Sequence, residues 1–287
     1  MTSAIDRREF LTTSSAALAS ATLSFTARTE KLYACSNRGR IKKGVKFHMV
    51  DKSLSVVDRF KLVKDLGFDG LEIHRREKLD AKTVAQARDK SGLPVHGTLN
   101  SSDPDLTGAI ELAKSYGANS VLYVAGRVNE KKRYDVNYTE TQQVIRTAIP
   151  HAEKAGIRIL VENVWNNFLL SPLEMARYID ELDSPFVGVY FDVGNVVRFG
   201  WPDQWIRILG KRIGKLDIKE YSRKKQLDEG LRKGFEVEIG EGDCGWPEVR
   251  KALAEIEYSG WATAEVRGGD RARLKEIAER MDRVLDL

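Results

Sequence analysis

Four acidic residues close short apolar runs: Leu160-Val161-Glu162, Tyr190-Phe191-Asp192, Lys215-Leu216-Asp217 and Thr263-Ala264-Glu265. A carboxylate at the end of a buried strand is costly unless a cation or a hydrogen-bond donor compensates it. Taken singly, each is equally well explained by a neighbouring Lys or Arg. Four converging from the same strand-end position would repel strongly, and a shared divalent cation resolves that repulsion. The expectation is one metal site with Glu162, Asp192, Asp217 and Glu265 as ligands.

Other polar residues are expected on the same face as substrate contacts. Glu72 and His74 end Leu71-Glu72-Ile73-His74, where alternation puts both on one side, and His96 ends a third run, Val95-His96-Gly97. Trp165, with Asn166 and Asn167, follows Glu162 and offers a sugar ring a stacking surface; core packing is the competing reading. Asn195, three residues past Asp192, can hydrogen-bond a hydroxyl but cannot act as an acid or base near neutral pH. Lys219, two residues past Asp217, either reaches an oxyanion or pairs at the end of its strand.

These residues need a scaffold that brings strand ends together. From Lys46 onward, β-branched or apolar runs alternate with amphipathic segments of helical length, the pattern of a parallel sheet with crossover helices. The predicted strands are Val45 to Val50, Gly70 to His74, Pro94 to Gly97, Ser120 to Val124, Arg158 to Glu162, Val187 to Asp192, Ile213 to Ile218 and Trp261 to Glu265. Six predicted helices stop at a glycine just before the next strand: Gly67, Gly92, Gly117, Gly156, Gly210 and Gly260. Eight repeated units predict a single α/β domain, a (β/α)8 TIM barrel, over residues 45–287. The rival, a doubly wound open sheet, usually carries a glycine-rich loop after its first strand, and none follows Val50. The long segments Ala125 to Tyr138 and Tyr221 to Gly245 fall on the strand-end face and are candidate lids.

On Val161-Glu162-Asn163, Phe191-Asp192-Val193-Gly194-Asn195, Leu216-Asp217-Ile218-Lys219-Glu220 and Ile239-Gly240-Glu241-Gly242-Asp243, with the closing Glu265, the chain resembles the xylose-isomerase-like barrel superfamily, in its sugar isomerase/epimerase branch. The resemblance covers Val45 to the carboxyl terminus. It implies that Glu162, Asp192, Asp217 and Glu265 hold a divalent metal, with Asp217 standing where the family has a histidine. It also implies that Arg223 contacts substrate oxygen, and that Asn195 replaces a frequent histidine. An all-oxygen ligand set favours Mn²⁺ or Mg²⁺ over Zn²⁺.

The activity implied is proton transfer next to a carbonyl, through an enediolate, with Glu162 and Glu265 as the acid and base pair. The substrate expected is a free sugar or an oxidised glycoside. Two alternatives use the same residues: a lyase or hydratase of 3-keto sugars, and a non-catalytic sugar-binding barrel.

Composition narrows the remaining classes. A net charge of +5, with 47 basic and 42 acidic residues interleaved, presents no stripe for nucleic acid. No run of apolar residues is long enough to span a membrane. Cys35 and Cys244 lack the spacing of a metal site. Asp6-Arg7-Arg8-Glu9-Phe10-Leu11, followed by a small-residue apolar stretch, resembles a twin-arginine export signal. Residues 1–35 are therefore expected to be a signal and linker read by the twin-arginine export machinery, delivering a folded protein to a bacterial periplasm. The competing reading is an amphipathic or unstructured tail. A homo-oligomer is compatible with the sequence.

Overall fold

The computed structural model describes residues 37–287. The predicted export signal and Cys35 lie outside the described residues, and Cys244 is a buried free thiol.

Eight parallel strands close into a barrel in sequence order. They are β1 (Ile41–Lys46), β2 (Gly70–His74), β3 (Val95–Leu99), β4 (Ser120–Tyr123), β5 (Arg158–Glu162), β6 (Val187–Asp192), β7 (Ile213–Ile218) and β8 (Gly260–Ala264). Between and after them run α1 (Val56–Asp65), α2 (Ala81–Ser91), α3 (Leu106–Tyr116), α4 (Tyr134–Ala155), α5 (Pro172–Asp180), α6 (Val193–Val197), α7 (Pro202–Leu209), α8 (Arg223–Glu229), α9 (Trp246–Glu255) and α10 (Arg271–Leu285). The ring shuts where β1 pairs with β8, from Ile41 opposite Gly260 to Val45 opposite Ala264.

Strands β2, β5, β6 and β7 have the bounds predicted from their sequence. The first strand runs four residues earlier than expected: Phe47–Met49 form a 3₁₀ turn, and Ile41 to Lys46 carry the pairing. This moves Lys46 from the second to the last residue of the strand. Five of the six glycine stops adopt left-handed φ between +53° and +78°. Gly260 does not; Glu257 supplies the left-handed residue at φ +56°, and a Cβ at Gly260 would come within 2.8 Å of the Tyr258 hydroxyl. There, glycine serves a close approach.

Outward-facing strand residues such as Val161, Phe191, Leu216 and Ala264 join the helices in the main apolar core. The lumen is filled differently. Leu99, Leu122, Leu160 and Tyr190 form a separate apolar plug, beside which buried Glu72, His96, Lys215 and Thr263 form a polar half. Among the described residues, no helix is long and apolar enough to cross a membrane.

Candidate active site

Period-two alternation turns Leu160 and Glu162 of β5, Tyr190 and Asp192 of β6, and Lys215 and Asp217 of β7 inward, so each strand delivers a carboxylate to the lumen near its carboxyl end. Asp192 and Asp217 are directly paired across β6 and β7. One oxygen from each of Glu162, Asp192, Asp217 and Glu265 lies within 4.8 Å of the others. Asp192 and Asp217 are fully buried, Glu162 is 7% exposed, and the Glu265 side chain is 30% exposed toward solvent.

Asp192 is fixed from two sides. Its Oδ1 accepts from the Asn195 backbone N–H at 2.9 Å, capping α6. Asn163 latches its backbone, with Oδ1 accepting from Asp192 N–H and Nδ2 donating to Asp192 O, both at 2.8 Å.

Two lysines interleave with the four carboxylates. The Lys46 ammonium lies 2.8 Å from Asp217 Oδ2 and 2.8 Å from Glu265 Oε1. Lys219 lies 2.8 Å from Asp192 Oδ2 and 2.6 Å from Glu265 Oε2. Burial works against both ammonium charges, but the surrounding carboxylates outweigh it and hold both pKa values above the ordinary lysine value. Glu265, clasped by both, is pushed well below the usual carboxylate range although burial alone would raise it. Glu162 goes the other way: burial, then the charge of Glu265, push its carboxyl up to about 8. Burial also raises Asp217 well above its ordinary value, against the pull of Lys46.

The donor set fits a hard divalent cation. Asp217 Oδ1 is buried without a partner, and the Glu162 carboxylate makes no hydrogen bond or ion pair among the described residues. Oxygens coordinating one ion at 2.0 to 2.6 Å can stand no more than about 5 Å apart, and this cluster meets that bound. Charge agrees: fully ionised, four carboxylates and two ammonium groups leave two negative charges, which one divalent cation or two protons would cancel.

A pocket of about 780 Å³ opens over this floor, within the usual range for small-molecule sites. Glu162, Trp165, Asn195, Lys219 and Glu265 line it. Trp165 is held by its indole N–H to Asn195 O at 2.8 Å and packs on Phe235, ring centres 4.8 Å apart. The Asn195 side-chain amide donates to Asn163 O at 3.0 Å, so one of its two N–H donors is spent on the loop.

Other expected substrate contacts lie elsewhere. Glu72 and His96 are sealed in the lumen below the carboxylates. Glu72 accepts from the Tyr190 hydroxyl at 2.8 Å, and Lys215 donates to His96 O at 2.5 Å. The β2–β3 register shifts beside Glu72, turning His96 inward, and Gly97 makes room, since a Cβ there would come within 2.3 Å of Glu72 Oε1. His74 bonds Ser101 Oγ at 3.0 Å and caps the turn after β2. Arg223 donates to Val197 O and Gly200 O at 2.9 and 2.7 Å, tying α8 to the loop before α7. None of these four lines the pocket.

Of the two candidate lids, the second is anchored from beneath. Buried Glu220 accepts from Gly240 N–H at 2.8 Å, Cys244 N–H at 3.1 Å and the Trp246 indole at 2.7 Å. Sequence reasoning missed Lys46, the last residue of β1, and Asn163, adjacent to Glu162. It also passed over Arg127, Arg232 and Arg267, which line the pocket from three loops.

A family model described as xylose isomerase-like TIM barrel matches residues 60–286. The chain belongs to that family. Among curated proteins, 149 residues are 28% identical to an uncharacterised protein of Methanocaldococcus jannaschii, a match spanning 50% of this chain and about half (47%) of that protein. A 2-oxo-tetronate isomerase of Pectobacterium atrosepticum is 24% identical over 245 residues, 76% of this chain and 88% of that one. Solved structures of the same fold include a 3-keto-D-glucoside 4-epimerase from E. coli, 15% identical with a TM-score of 0.70, covering 86% of this chain and 100% of that one. A D-allulose 3-epimerase from Methylomonas sp. in complex with D-allulose is 16% identical, also at TM-score 0.70, over 86% of this chain and 97% of that one.

Proposed function

We propose that this chain is a carbohydrate isomerase or epimerase that moves a proton on and off the carbon beside a carbonyl, through an enediolate, with one divalent cation, Mn²⁺ or Mg²⁺ before Zn²⁺. The observation that carries this reading is a pair of glutamates facing one pocket with opposed protonation. Two carboxyls whose surroundings drive their pKa values apart are suited to be base and acid. The names of the isomerase and the two epimerases above support the reaction class.

Glu265, held ionised between Lys46 and Lys219, accepts the carbon-bound proton, and Glu162, which keeps its proton only while it does not ligate the cation, returns one. Transfer by two carboxyls on opposite faces of one carbon inverts it; delivery to the adjacent carbon on one face interconverts aldose and ketose. The lysines lower the basicity of Glu265, so the carbon must be acidified by positive charge near its carbonyl. Asp192, Asp217 and Glu265, joined by Glu162 once its proton has left, would hold the cation, which would supply Lewis-acid stabilisation for the oxygen charge that develops. Trp165 and Phe235 offer an apolar wall to a sugar ring. Export by the twin-arginine route, read from Arg7 and Arg8, belongs to the same proposal and points to a free sugar or an oxidised glycoside.

One observation favours a second reading. Lys46 and Lys219 already place two positive charges among the carboxylates, enough for enediolate stabilisation without a cation. The test for both is solvent-deuterium incorporation into a panel of ketoses and 3-keto glycosides. Exchange that is lost in Glu162→Gln and Glu265→Gln supports the two-glutamate chemistry. Exchange surviving exhaustive chelation selects the cation-free form. Release of an aglycone without exchange selects a lyase, and binding with no turnover selects the non-catalytic barrel.

A further inference from the structure

We propose that the substrate of this pocket is an acidic carbohydrate whose carboxylate or phosphate is held at the rim by Arg127, Arg232 and Arg267. This rests on the isomerase or epimerase reading for the chemistry at the pocket floor and goes beyond it in substrate class.

The three arginines arrive on different strand-end loops: Arg127 after β4, Arg232 in the 3₁₀ turn Leu231–Phe235 after β7, and Arg267 after β8. All three are exposed, and none makes a side-chain hydrogen bond or ion pair among the described residues. Many arginines elsewhere are tied down, although Arg76, Arg158 and Arg283, away from the pocket, also make no such bond. Arg207 reaches Glu255 and Asp203, Arg212 reaches Asp180, Arg273 reaches Glu238, and Arg280 reaches Glu241. Guanidinium groups left unpaired around one opening present planar donor forks that match carboxylate and phosphate oxygens.

The charge layout also sets the orientation. The floor, where four carboxylates meet two lysines, carries no net positive charge, whereas the rim is cationic. A polar substrate with an acidic end therefore enters with its carbonyl down and its anion at the rim, and the rim field speeds capture. A neutral sugar would leave the three guanidinium groups without function.

The test compares matched neutral and acidic compounds: a ketose, its terminal phosphate and the corresponding keto-uronate. Wild type and the Arg127→Gln/Arg232→Gln/Arg267→Gln variant are assayed by deuterium exchange, with thermal melting as a control for folding. The expected result is an acid-over-neutral preference in kcat/KM of about 100-fold that collapses in the variant, mainly through KM, and is partly regained with lysine at the same positions. Greater exchange into the phosphate or the keto-uronate identifies the anion. Equal exchange into neutral and acidic compounds overturns the proposal and leaves the isomerase reading intact. If no compound exchanges, that reading fails, and calorimetry with inorganic phosphate and an aldonate decides the anion site separately: binding lost in the variant upholds it, and no binding by wild type overturns it.

Discussion

Loading the carboxylate cluster with Mn²⁺ should displace protons, and its apparent affinity should climb with pH. Glu162 titrates at about 8 in the cation-free protein, so at pH 6 only about one molecule in 100 has it ionised, and at pH 8 about half do. Competition by that proton weakens binding about 100-fold at pH 6 and about twofold at pH 8. The ratio is about 50-fold, or about 2.3 kcal/mol, from one carboxyl. Asp217 is shifted in the same direction and steepens the dependence. The assay is calorimetric titration of Mn²⁺ into chelator-treated protein at pH 6, 7 and 8, each in two buffers of different ionisation enthalpy. Between about one and two protons should leave per ion bound at pH 7. In Glu162→Gln the count should fall by about one. An affinity flat from pH 6 to 8 without proton release, or no binding at either limit, would refute the reasoning.

The same carboxyl makes the cation-free protein less stable as pH rises. Its folded value of about 8 exceeds the ordinary 4.5, so its stabilisation is complete below about 4.5 and is lost as pH climbs through 8. Melting curves in chelator should fall between pH 6 and 8, flatten in Glu162→Gln, and recover with Mn²⁺; a rising curve contradicts the assignment. Above pH 8 the depressed Lys215, at about 8, acts in the opposite sense. Lys46→Met unpairs buried Asp217 and should cost about 3 to 5 kcal/mol by denaturant unfolding at pH 8, with part regained on adding a divalent cation. A cost below about 1 kcal/mol would mean that the ion pair is dispensable. Glu162→Gln removes the proton donor and should lower exchange about 100- to 10,000-fold with little change in KM. Tyr190→Phe breaks its bond to Glu72 beneath the pocket and should cost about 1 to 3 kcal/mol while KM stays within about twofold; a large KM change would bring Glu72 back into substrate contact.

The barrel and its four acids were legible because buried parallel strands read as apolar runs, and because β5 and β6 end on their functional residue and β7 has it one residue before its end. What escaped detection did so for local reasons. Val45 to Val50 was read as a strand because it is apolar, but its second half turns into a 3₁₀ segment, which hid Lys46 as a strand-end residue facing the carboxylates. Simple alternation cannot anticipate the register shift that swings His96 into the lumen, so Glu72 and His96 looked like substrate contacts when they pack the interior. Asn195 and Arg223 stand where family resemblance put them, yet their donors go to backbone carbonyls of the neighbouring loops. The rim arginines carry no pattern in sequence, because the loop path decides which way each points.

The contact between Lys46 and Asp217 joins residues 171 positions apart, from the first strand to the seventh. An intermediate that has assembled β2 to β8 already gathers the acids but still lacks one of its two lysines. The first strand therefore brings the counter-charge that Asp217 otherwise lacks. A chain truncated before Ile41 keeps Lys46 and its neutralising role, whereas one truncated after it should remain open, acid-rich and cation-hungry. The strand that closes the barrel also balances the charge of the site.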